Sequence, residues 1–142
     1  MDLIYTWSEL KAVQDRIEEI RKATDRIVDS NTLNANRSLY NKLWKVRHAL
    51  EEERDMMERQ TIPEVGMPCT VIFYSDRSSA EVIAVRGKTK KEVDVKMCGL
   101  YSGIKTFTYR RNGHWIQKGT TSRDWGTILG VGYQEDYYDM EF

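Results

Sequence analysis

The residues best suited to chemistry lie in 106–119, TFTYRRNGHWIQKG, where cations and aromatic rings are densest. Arg110 and Arg111 carry forked donors that match phosphate oxygens, and the aromatic rings among them offer faces on which a base can stack. Asn112-Gly113 is the pivot. A type I′ turn needs positive φ at both central residues, and Asn-Gly tolerates this best, so 107–111 and 114–118 are expected as paired antiparallel strands. Alternation then puts Phe107, Tyr109 and Arg111 on one face and Thr106, Thr108 and Arg110 on the other. Such a surface suits a planar anionic ligand such as a nucleotide. The same residues also serve as cross-strand core pairs and a solvated edge, and the pattern leaves both readings open.

A second candidate lies at Asp76 and Arg77, in an expected turn over 76–79 that would present backbone donors and one guanidinium at a loop tip. The alternative is a solvated turn in which Asp76 caps its own backbone. Catalytic machinery is not expected. There is no Gly-rich phosphate loop opening a helix, no GxSxG elbow, no HExxH and no paired CxxC. His48 and His114, the only histidines, fall in separate elements, and Cys69 and Cys98 lack zinc-site spacing. The cysteines read as small core residues of a reduced, cytoplasmic protein, and neither a metal nor a cofactor is implied.

The elements that must position these groups fall into two halves of the 142 residues, 1–62 and 63–142. In 7–29, Leu10, Val13, Ile17, Ile20, Thr24 and Ile27 recur at alternating spacings of three and four, the seam of an amphipathic helix. Thr6 and Glu9 are placed as a capping box. Residues 30–36, SNTLNAN, favour caps and turns. A second helix follows with Leu39, Leu43, Val46, Leu50, Glu53 and Met57 on its seam and Tyr40, Trp44 and His48 beside it, ending before Pro63. An antiparallel helical hairpin results. Trp7, Tyr40, Trp44, Met56 and Met57 then need cover, from the other half or from a second copy, and the charged flanks favour a homodimer or higher homo-oligomer through this hairpin.

Beyond TIPEVGMP (61–68) the apolar period changes to two. Strands are expected at 69–75, nearly apolar and buried on both faces, at 80–86, and at 91–97 with Val93, Val95 and Met97 inward. The 107–118 hairpin follows, then a polar loop over 119–126 carrying Trp125, and a last strand at 127–133 whose glycines mark a bend. The fold class is α+β: a helical hairpin, then a small antiparallel β-barrel or strongly twisted sheet of the SH3-like sort. Tyr137, Tyr138 and Phe142 in the acidic tail are expected to dock on the chain or on a neighbouring subunit.

Charge is balanced at 22 acidic and 22 basic residues, so affinity for long nucleic acid is not expected. Its distribution is uneven. Residues 86–118 hold nine basic and two acidic side chains, and 124–142 hold five acidic and no basic ones. The start MDLIYTWSEL has no signal-peptide pattern, and no apolar run approaches the roughly 20 residues of a membrane span. A compact pocket for one nucleotide-like molecule fits this balance better than an extended surface for single-stranded nucleic acid.

The segments CTVIFYSDRSSAEVIAV (69–85), FTYRRNGHWIQKG (107–119) and YYDMEF (137–142) resemble the phage-encoded type 1 Thoeris anti-defence proteins, over roughly residues 66–142. The order of "YSDR", "RxNGxW…KG" and a terminal "YYD" carries the resemblance. CGLYSG, between the third strand and the hairpin, is shorter than in that family. The resemblance implies a non-catalytic, oligomeric sponge enclosing a signalling nucleotide of host defence, such as a cyclic ADP-ribose isomer, with small cyclic oligonucleotides as a further class. By position it implies Ser75, Asp76, Arg77, Phe107, Arg110, Arg111, Asn112, Trp115 and Lys118 as ligand contacts. Two other functions remain open: occlusion of a host nuclease or other protein through the helical hairpin, and single-stranded nucleic-acid binding.

Overall fold

The computed structural model describes residues 2–99, 101–119 and 127–138. The chain divides into two compact units, Ser8–Met57 and a second made of Met1–Trp7 with Glu58–Phe142. Trp125 and Phe142 lie outside the described residues.

Helix α1 spans Trp7–Asp29 and helix α2 spans Arg37–Glu58. Their buried residues step in heptads, Leu10, Ile17 and Thr24 on α1 and Leu50 and Met57 on α2. The linker ends α1 with a Schellman-type cap: Asn31 takes φ 57°, and the Thr32 and Asn31 amides donate to the carbonyls of Ile27 at 3.2 Å and Val28 at 3.1 Å. The expected α2 seam is only half realised, because Leu39 and Val46 are exposed. Two helices bury one stripe apiece, and these two residues fall on its flank. Met57, by contrast, is covered, while Trp44 stands exposed and stacked on His48 at 5.4 Å.

The other unit is a closed antiparallel barrel of six strands: β1 Pro68–Ile72, β2 Arg77–Arg86, β3 Glu92–Met97, β4 Gly103–Tyr109, β5 Trp115–Gln117 and β6 Ile128–Val131. Each strand pairs with the next, and β6 returns to β1, placing Cys69 opposite Val131. Closure leaves no free sheet edge. The inward rows meet in a core of Cys69, Val71, Ala80, Val82, Val93, Val95, Phe107, Trp115, Leu129 and Val131. Along β1 three consecutive residues, Cys69, Thr70 and Val71, are buried, as its apolar character predicts. Tyr133 lies against Gly130, where a Cβ would come within 2.2 Å of the phenol oxygen. Only glycine fits there.

Two turns differ from expectation. The first strand ends at Ile72, and the turn is 73–76, closed by the Phe73 amide donating to the Asp76 carbonyl at 2.9 Å. Arg77, Ser78 and Ser79 are strand residues of β2. Their turn-forming tendency is overridden because the tail supplies partners: Arg77 and Tyr137 exchange backbone bonds of 2.7 and 2.9 Å, and Ser79 N–H donates to Asp136 at 2.9 Å. At the 107–118 hairpin the turn is not type I′. Tyr109 pairs with Trp115, Gly113 N–H donates to the Arg110 carbonyl at 3.0 Å, and Gly113 alone of the central residues has positive φ, 82°. This is a three-residue loop with a type I turn and a glycine bulge. Asn112 uses its side-chain oxygen to accept the His114 amide at 3.1 Å, so an ordinary φ suffices for it.

Candidate ligand-binding site

Strand parity decides which of the expected contacts can meet. In a meander of consecutive antiparallel strands, the β1–β2 and β3–β4 connections emerge at one end of the barrel and the β2–β3 and β4–β5 connections at the other. Ser75, Asp76 and Arg77 therefore lie at one end, and Arg110, Arg111 and Asn112 at the opposite end. The nine residues do not form one site within a chain.

The 73–76 end carries an aromatic cleft of about 320 Å³, lined by Ile72, Phe73, Tyr74, Ser75, Arg77, Glu135 and Tyr137. Tyr74 is 83% exposed and Tyr137 56%, so two rings present themselves to solvent beside half-buried Phe73. Phe73 packs on Tyr101 at 4.9 Å between centroids, and Tyr101 on Tyr138 at 5.7 Å. The Tyr101 hydroxyl donates to Asp76 at 2.6 Å, and this bond pushes the phenol's titration upward. Arg77 pairs with Glu135 at 2.9 Å.

The tail is held as a strap beside the start of β2. Asp136 accepts from the Ser79 amide and, at 3.0 Å, from its hydroxyl, which holds its carboxyl below the usual range. Gln134 donates to the Ala80 carbonyl at 2.9 Å. Gly99 faces this strap, and a Cβ there would come within 2.2 Å of Asp136. Tyr137 docks on its own chain through the backbone, as the tail's composition suggests, while its ring stays at the cleft.

The other expected contacts are dispersed. Phe107 is fully buried opposite Val93 and Gln117, so it is a core residue and does not line the 73–76 cleft. Trp115 is buried against Tyr109 at 5.1 Å, and its indole N–H finds no acceptor among the described residues. Lys118 pairs with Glu92 at 2.9 Å on a network in which Arg86 also bridges Glu92 and Asp94. Arg86 and Thr106 together hold the Asp94 carboxyl at about 2. Arg110 and Arg111 line a separate cleft of about 360 Å³ with Asp2, Lys91 and Tyr109, and Arg110 donates to the Thr108 hydroxyl at 2.8 Å.

Of the expected contacts, Ser75 and Arg77 line this cleft and Asp76 accepts from Tyr101 beside it; Phe73 and Tyr74 are not expected there because 69–75 has the pattern of a continuous buried strand, and Tyr101 has only that of a loop residue. Counting strands to find which loops share an end would have joined 73–77 with 98–102. Among the described residues no cluster of His, Cys, Asp and Glu is placed to hold a metal. Both cysteines are free, and burial pushes the Cys69 thiol up to about 12. Among the described residues no helix is long and apolar enough to cross a membrane. Compared with known proteins, the chain matches no family model, no curated protein and no solved structure.

Proposed function

We propose that this chain is a non-catalytic binding protein that sequesters a small nucleotide-like molecule at the 73–76 end of its barrel, in keeping with the signal-sponge function that its resemblance to the Thoeris anti-defence family implies. One observation carries the reading: Phe73, Tyr74 and Tyr137 surround a single cleft with Ser75 and Arg77. Ring faces for a base and polar groups for a sugar or phosphate are thus within reach of one ligand. At about 320 Å³ the cleft falls at the small end of the roughly 300–1,000 Å³ typical of ligand pockets, a size for one nucleotide rather than a strand. Incubation with ADP or a cyclic ADP-ribose isomer, followed by heating, is expected to return the ligand chemically intact. Conversion of the ligand, or strongly salt-dependent retention of oligonucleotides in its place, would overturn this reading.

The helical hairpin is proposed as the surface for a second copy. The first half of α2 carries Arg37, Lys42, Lys45 and Arg47 and no acid, and its second half carries Glu51, Glu52, Glu53, Asp55 and Glu58 against Arg54 alone. This order opposes the helix dipole, at a cost of about 0.3–1 kcal/mol per terminal charge. An antiparallel α2 from a second copy sets each half against its opposite charge and covers Leu39 and Val46. Light scattering is expected to give twice the 16.7 kDa chain mass, and Val46→Glu to reduce it to one chain. A wild-type mass of one chain would eliminate the dimer.

A further inference from the structure

Lys105 breaks the inside-outside alternation of β4. It pairs directly with Val95, and the next inward pair, Phe107 with Val93, is fully buried, so Lys105 continues the interior row toward the 73–76 end of the barrel. Its neighbour Ile104 faces outward and is 62% exposed. Burial alone would favour the reverse, an isoleucine inside and a lysine outside. A local choice that opposes the fold's own economy is the mark of a functional position.

The Lys105 ammonium stands 5.8 Å from the centroid of Phe73, the ring that also lines the aromatic cleft. Among the described residues, the acids around this end are engaged with other groups: Asp76 accepts from Tyr101, Glu135 pairs with Arg77, and Asp136 accepts from Ser79. Lys105 takes part in no ion pair among the described residues. The charge of Arg77 is thus matched within the protein, whereas among the described residues that of Lys105 faces only the ring of Phe73.

We propose that Lys105, which stands beside the cleft's Phe73 and not among its lining residues, reads the ligand's phosphate and restricts the ligand class to phosphorylated nucleotides, as opposed to nucleosides or free bases. This inference rests on the nucleotide-binding reading above. The base stacks on the exposed rings, and the phosphate takes the place beside Phe73 where the ammonium waits.

Calorimetric titrations of the whole chain with ADP, adenosine and pyrophosphate test this, in the wild type, Lys105→Met and Lys105→Arg. Methionine keeps the stem's packing and removes the charge, and arginine restores it. Lys105→Met is expected to weaken ADP about tenfold or more, to leave adenosine unchanged and to abolish pyrophosphate binding, with Lys105→Arg recovering most of the loss. Equal ADP and pyrophosphate binding by wild type and Lys105→Met would overturn the assignment. Pyrophosphate binding that depends on Lys105, without binding of ADP or adenosine, would leave the anion site standing and remove the nucleotide reading. Absence of binding by all three probes removes both.

Discussion

Phe107→Ala is expected to destabilise the barrel by about 3–5 kcal/mol, the cost of deleting a large buried aromatic side chain. Phe107 is 0% exposed, and its strand is clamped on both sides, to β3 through Val93 and to β5 through Gln117. Collapse around the missing ring would strain both ladders, so the void stays open and the loss falls near the top of that range. For a domain whose total stability is of the order of 5–15 kcal/mol, this is a large fraction. Urea unfolding followed by tryptophan fluorescence measures it. Phe107→Leu separates structure from recognition: it is expected to cost far less and to keep the wild-type ligand affinity. A folded Phe107→Leu protein that no longer binds would return Phe107 to the list of ligand contacts.

Tyr74→Ala has the opposite signature. The side chain is 83% exposed, so its removal is expected to change stability by no more than about 0.5 kcal/mol. As an exposed ring of the aromatic cleft, it is expected to contribute about 1–3 kcal/mol of base stacking, a loss of about 5- to 150-fold in affinity for ADP. The double replacement of Arg110 and Arg111 by alanine, at the other end of the barrel, is the paired control and is expected to leave that affinity unaltered. If instead the arginine variant loses binding and Tyr74→Ala keeps it, the site belongs at the opposite end.

Much of the fold was legible in the residues. Heptad steps from Leu10 to Thr24 and from Leu43 to Met57 mark the helices, and the alternation Val93, Val95, Met97 marks an inward strand face. The site was less legible, for physical reasons. Backbone partners that rescue Arg77 to Ser79 from a turn come from residues 134–137, far along the chain, where local propensity has no view of them. The chemistry of Arg110 and Arg111 was plain, but their distance from Ser75 depends on how many strands intervene, an odd-even property of topology. Phe107 and Trp115 have the composition of a stacking platform and serve as the core, since a six-stranded barrel of such short strands fills its interior with its own rings. Lys105 left a visible trace in the inverted pair Ile104-Lys105.

The strap formed by residues 134–138 makes the cleft a clasp as well as a receptacle. One wall follows β1, the first strand of the barrel, and the other follows β6, the last, and those two strands are the pair whose union closes it. Joining segments so distant in sequence is the slow, entropically costly step in forming such a topology. Under the proposed function, a molecule seated between Phe73 and Tyr137 would tie the turn after β1 to the strap, whose backbone pairs with Arg77 of β2, and would be let go unaltered when heat frees the strap.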